Sequence, residues 1–147
     1  MNGSEVEIVV VEDNPNDAEL ITRVLKKLGL ADKCILLKDG VEALDFLLAQ
    51  GSFADRSANG APKVVLLDLK LPKVDGIEVL RRLKSEERTR TIPVVALTSS
   101  TEQRDLKAAY ELGVNSYVSK PIEFSKFAGI VAELGKYWLE VNRLPNG

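Results

Sequence analysis

Apolar and polar positions follow two rhythms along this chain. Apolar residues stand side by side in five short runs, 8–11, 34–37, 64–67, 92–97 and, more weakly, 116–119. Such runs, apolar on both faces, predict strands buried between helices. Between them, apolar residues recur every three or four positions. Leu20, Ile21, Val24, Leu25 and Leu28 form one such stripe, with Asn14 as N-cap, Pro15 at the first helical position and Gly29 closing it. The same spacing predicts helices over 40–50, 76–84 and 102–112, the last closed by Gly113, and a long final helix from Phe124. Residues 51–62 are polar and glycine-bearing, a long surface loop.

Strand and helix therefore alternate five times. That order predicts an α/β fold with a parallel sheet and right-handed crossovers. For five such units the expected arrangement is a flavodoxin-like, doubly wound five-stranded sheet in the order 2-1-3-4-5, with five helices. The 147 residues suit a single domain, with a core over about 5–135 and a helical extension and tail over about 136–147.

The strand ends carry the chemistry. Strand one closes on Glu12-Asp13, strand three on Asp68, strand four on Thr98 and strand five on Lys120. Each residue alone has a plain explanation as a turn acid, a cap or a solvated charge. In the predicted order, however, all of these ends meet at one edge of the sheet, where ligands of open α/β folds bind. Clustered carboxylates make a hard-oxygen site suited to Mg2+. Asp13 and Asp68 are the expected direct ligands, Glu12 an indirect one through water, and the backbone carbonyl of Lys70 a further ligand. An aspartate can itself accept a phosphoryl group. Mg2+ and Lys120 would then offset the charge on that group, and the Thr98 hydroxyl would donate to it.

Composition narrows the setting. The net charge of −2 gives no basic field for nucleic acid or an anionic membrane, and no apolar run approaches the roughly 20 residues of a membrane span. Met1-Asn2-Gly3-Ser4 lacks the features of a signal peptide. One cysteine, Cys34, cannot form an internal disulfide and fits a reducing cytoplasm as core filler. Histidine is absent, so any phosphohistidine donor belongs to another molecule.

These motifs resemble the receiver domains of two-component response regulators. The matching residues are Glu12-Asp13; Leu67-Asp68-Leu69-Lys70-Leu71-Pro72 with Asp75-Gly76; Leu97-Thr98-Ser99; and Tyr117-Val118-Ser119-Lys120-Pro121. The resemblance implies that Asp68 is phosphorylated by a sensor histidine kinase. It makes Glu12 and Asp13 the metal acids, Thr98 the switch hydroxyl, Tyr117 the switch aromatic and Lys120 the essential lysine. It also implies a cis Lys120–Pro121 bond. The stretch 12–17, the enlarged 51–62 loop and the tail with Tyr137-Trp138-Leu139 and Leu144-Pro145 resemble stand-alone receivers that serve phytochrome-type and related kinases. The implied role is signalling, not enzymatic turnover. A phosphatase of the haloacid-dehalogenase type would want an acid two residues after its nucleophile, where this chain has Lys70. A flavin-binding module would want phosphate-binding hydroxyls and glycine after strand one, whereas Glu12-Asp13 would repel a phosphate unless a metal intervened. With no output domain after the last helix, the chain would act by protein contacts or form part of something longer.

Phe124, Phe127, Ile130, Val131, Leu134 and Trp138 share one stripe, expected to pack on the sheet. That stripe cannot also hide Tyr137, Leu139, Val141 and Leu144. The surplus predicts a homodimer through the last helix and tail.

Overall fold

The computed structural model describes residues 6–56 and 61–145. The N-terminal segment read above for a signal peptide, the centre of the 51–62 loop and the end of the tail lie outside the described residues. Five strands, β1 (Ile8–Val11), β2 (Cys34–Leu37), β3 (Val64–Leu67), β4 (Val94–Thr98) and β5 (Ser116–Ser119), pair in parallel in the order β2-β1-β3-β4-β5. Five α-helices alternate with them: α1 (Pro15–Lys27), α2 (Gly40–Leu47), α3 (Gly76–Ser85), α4 (Gln103–Glu111) and α5 (Phe124–Lys136).

The runs that are apolar at every position are explained by two cores. Val9 and Val11 of β1 face a cluster with α2, α3 and α4, including Leu44, Leu80 and Ala109. Ile8 and Val10 face the opposite cluster with α1 and α5, including Ile21, Leu25, Phe127 and Val131. A strand with both faces covered cannot show period-two polarity. Cys34 packs at the edge of the second core, where burial pushes its thiol up to about 11, as expected of filler rather than a reactive thiolate.

Local signals mark the ends of α1. The Asn14 side chain accepts from the amides of Asn16 at 2.9 Å and Asp17 at 3.0 Å, with Pro15 beside it. Gly29 follows the helix at φ +76°. Other boundaries depart from the pattern. α2 stops three residues before Gln50, because Arg56 Nε donates to the Phe46 carbonyl at 2.6 Å and Arg88 to that of Leu48 at 2.6 Å, satisfying the helix end from outside. β4 begins at Val94 rather than Ile92, since Ile92 donates to Thr89 in a turn and Pro93 has no amide to give.

The last helix does continue past Gly135, but in another form. After Lys136 it widens into a π-helical turn, Tyr137–Val141, closed by the Asn142 amide on the Tyr137 carbonyl at 2.7 Å. Leu134, Trp138 and Leu139 pack against the second core, whereas Tyr137 is 46% and Val141 64% exposed. Phe124 is also 60% exposed, contrary to its expected place in the packing stripe. It is the first residue of α5, whereas Phe127, one turn on, is buried in the second core. The Lys120–Pro121 bond is trans, as are all peptide bonds among the described residues, which corrects the cis expectation.

Gly76 and Gly129 offer opposite tests of packing. A Cβ on Gly76 would stand 2.3 Å from the Asp68 carbonyl oxygen and 2.5 Å from Leu69 Cα, whereas one on Gly129 meets nothing within 4 Å. Gly76→Ala should lose about 1–3 kcal/mol or more in urea denaturation. Gly129→Ala should gain about 0.5–1 kcal/mol. Equal effects would contradict this account of the loop after β3.

Candidate functional site

Strand register builds the site. Val11 pairs with Leu67, so the next residues, Glu12 and Asp68, emerge side by side, and the Asp68 amide donates to the Val11 carbonyl at 3.1 Å. Thr98 pairs with Ser119, and the Lys120 amide donates to the Thr98 carbonyl at 2.8 Å. All the strand-end residues read from the sequence therefore stand at one edge.

Asp68 is held on both oxygens. Oδ1 accepts from the Thr98 hydroxyl at 2.9 Å and from the Lys70 amide at 3.0 Å. Oδ2 accepts from Lys120 Nζ at 2.8 Å. The ammonium also meets Glu12 Oε1 at 2.6 Å and Asp17 Oδ2 at 2.9 Å. Thr98 is wholly buried, Glu12 2% exposed and Asp68 5% exposed. Burial works against the charge on Lys120, but its bonds to Asp68, Glu12 and Asp17 outweigh that and hold it above the ordinary lysine value. Glu12 moves the opposite way to a simple ion pair. Burial pushes its carboxyl up to about 7 despite the Lys120 hydrogen bond, and the neighbouring Asp68 charge adds to the rise.

Carboxylate oxygens of Glu12, Asp13 and Asp68 come within 4.8 Å of one another. Together with Asp17, these carboxylates outnumber the single ammonium among them. Hard oxygen donors with surplus negative charge fit a small divalent cation. The structure brings the exposed Asp13 together with the buried Asp68 and Glu12. Lys70 turns its side chain away, to Asp105 Oδ2 at 3.3 Å, which leaves only its backbone to serve the site.

From Thr98 a chain of contacts leads outward. Its hydroxyl oxygen accepts from the Ser100 amide at 3.3 Å, and the Ser100 carbonyl accepts from Tyr117 OH at 3.1 Å. The Ser100 hydroxyl donates to Asp105 Oδ2 on α4 at 2.5 Å. Thr98 and Tyr117 are thus linked by hydrogen bonds through Ser100, and the Thr98 hydroxyl itself donates to Asp68. Sequence reading passed over Asp17, Ser100 and Asp105. Asp17 lies on the first turn of α1, so a search confined to strand ends misses it, although that turn follows β1 directly. Ser100 and Asp105 show no composition signal, because serine and aspartate are ordinary at helix starts.

Metal-free protein should report the buried Glu12 charge. The folded-state value of about 7 exceeds the ordinary 4.5, so the fold binds the proton more tightly than the unfolded chain does. Stability from this group is present at low pH and lost as pH rises through about 7. The melting temperature should therefore fall more steeply from pH 5 to 8 in wild type than in Glu12→Gln, by about 2–4 °C for each kcal/mol. Mg2+ should restore wild type at pH 8. Parallel curves for the two proteins would rule this out.

Comparison with known proteins accords with the geometry. The response regulator receiver domain family matches residues 8–132. The probable methanogenesis regulatory protein FilR2 of Methanothrix harundinacea (strain 6Ac) is 48% identical over 94% of this chain and 86% of its own length. Response regulator Rcp1 of Synechocystis sp. (strain ATCC 27184 / PCC 6803 / Kazusa) is 39% identical over 94% of this chain and 92% of its own. The Mn2+-bound crystal structure of Rcp1 superposes with a TM-score of 0.86 over 94% of this chain and 97% of that one. The phosphorylated cyanobacterial phytochrome response regulator RcpA gives 0.88 at 37% identity, over 97% and 99% of the two chains. With those motifs gathered at one sheet edge and most of its length matched, the chain belongs to the response regulator receiver domain family.

Proposed function

We propose that this protein is a phosphorylation-dependent signalling switch that accepts a phosphoryl group on Asp68 from a sensor histidine kinase. The observation that carries this reading is the double grip on Asp68, with Thr98 on one oxygen and Lys120 on the other, beside two further acids. The phytochrome-linked relatives support a kinase of that class as donor.

An Asp68 oxygen forms the new bond to phosphorus as the bond to the donor's leaving atom breaks. Glu12, Asp13, Asp68 and the Lys70 carbonyl would hold Mg2+, which supplies positive charge against the phosphoryl oxygens. Lys120 keeps Asp68 oriented before transfer and offers its ammonium to the new oxygens afterwards. Thr98 has one hydroxyl proton. Moving it from the carboxylate to a phosphoryl oxygen draws 98–100 toward the site, and Ser100 passes the displacement to Tyr117 and α4. A hydroxyl whose partner differs between two states biases their equilibrium. The position where a haloacid-dehalogenase phosphatase would carry its second acid is Lys70, whose side chain turns to Asp105, and this supports chemistry confined to the chain itself.

Acetyl phosphate with Mg2+ should add one acid-labile phosphoryl mass at Asp68. Asp68→Asn should abolish it, and Asp13→Ala should weaken Mg2+ binding more than Glu12→Ala does. Thr98→Ala should take the label yet show little of the wild-type shift in amide NMR signals over 102–117. Equal labelling of Asp68→Asn would defeat the assignment.

The exposed Tyr137 and Val141, outside a tail whose Trp138 and Leu139 already cover the core, support a homodimer through α5 and the π-turn. Light scattering over a concentration series should give a dimer for the full chain and a monomer for a chain ending at Lys136. A full chain that stays monomeric at high micromolar concentration, with and without phosphodonor, would remove this part of the proposal.

A further inference from the structure

Asp17 is the carboxylate at the site that the phosphorylation chemistry leaves without a task. It is not in the metal cluster, and its side chain keeps 28% of its surface in solvent while Oδ2 holds Lys120. It also borders a cavity of about 290 Å3 that Lys120 lines together with the buried Leu20 and Phe127 and the exposed Ile122 and Phe124. Lys120, which lines this opening, holds the buried acceptor Asp68 at 2.8 Å, so a donor that reaches Asp68 beside Lys120 would set its leaving group against these walls. The apolar sides suit a flat ring, and the carboxylate is the acceptor that a ring N–H would need.

We infer that Asp17 selects the phosphodonor, favouring an N-phosphorylated imidazole over an acyl phosphate. The inference rests on the proposed transfer to Asp68. In that transfer the Asp68 O–P bond forms and the P–N bond breaks. The electron pair returns to the ring nitrogen, and imidazole leaves neutral, keeping the proton on its other nitrogen. A carboxylate beside that N–H stabilises the protonated donor. With acetyl phosphate the P–O bond breaks and acetate leaves as an anion, which the same carboxylate opposes. This chain contains no histidine, so such a ring can come only from another molecule.

The test compares initial rates of phosphorylation by phosphoimidazole and by acetyl phosphate, read by intact mass at fixed pH and Mg2+. Asp17→Asn should slow the imidazole donor and speed the acyl donor, moving their ratio about tenfold, as expected for losing one charge a few ångströms away at intermediate dielectric. Asp17→Glu, which keeps the charge, should retain most of the wild-type ratio. If Asp17→Asn changes both rates by one factor, Asp17 only positions Lys120 or supports the start of α1, and the inference is overturned. An unchanged ratio with unchanged rates overturns it equally. Wild type that takes label from neither donor overturns the phosphorylation reading itself, a result distinct from an unmoved ratio.

Discussion

One ammonium holds this site together. Lys120 Nζ meets Glu12, Asp17 and Asp68 within 2.9 Å, and its side chain is nearly sealed from solvent. A buried ion pair often adds little net stability, because desolvation opposes the attraction. Here the ammonium also faces more carboxylate than it can neutralise. The value of about 7 for Glu12 comes first from burial, and the neighbouring Asp68 charge adds to it, so that even an acid 2.6 Å from an ammonium holds its proton more tightly than it would in water. The arrangement is therefore better understood as a positioned charge deficit than as a stabilising bridge. It keeps a demand for positive charge at the place where a cation and a phosphoryl group would arrive together.

The topology makes this convergence possible. The lysine ends β5, the acceptor ends β3 and two acids end β1, strands far apart in sequence. Only the order β2-β1-β3-β4-β5, with α1 folded back on the same face as α5, brings their ends together. Two apolar layers fix the sheet, and the ladder sets its register. A slip of one residue would turn Val11 and Leu67 to the wrong face along with the acids. Gly76 extends the same constraint into the loop after β3, because any side chain there would run into the carbonyl of Asp68 itself. Core packing and site geometry are in this sense one requirement.

This explains what could be read from the sequence and what could not. The strands were legible because burial on both faces leaves continuous apolar runs, and the site was legible because each run ends on a chemically distinct residue. Helix ends were less so: α2 is cut short by Arg56 and Arg88, whose approach depends on tertiary structure. Phe124 looked like core by spacing, but spacing does not reveal where the core ends along α5, and there Phe127 is buried while Phe124 is exposed. Asp17, Ser100 and Asp105 were missed for a related reason. Each acts through a neighbour from a different element, and nothing in its own sequence surroundings distinguishes it from a helix-start polar residue.

Asp68 is tied to α4 by hydrogen bonds that are already made. The Thr98 proton, the Ser100 amide and hydroxyl and the Tyr117 hydroxyl all have partners in the present arrangement. Moving Thr98 to a new acceptor exchanges hydrogen bonds instead of creating them from nothing, so the free-energy gap between the two arrangements is small beside the strength of the bonds exchanged. A small gap is what a switch needs, because a ligand shifts an equilibrium only by its differential interaction with the two states. Asp105 adds a charge to this balance, accepting from Ser100 while pairing with Lys70 from the loop after β3. In the proposed switch, displacement of either Ser100 or that loop would be felt at the first turn of α4, the helix with only one buried side chain, Ala109. Lightly anchored elements are the ones that move at least cost.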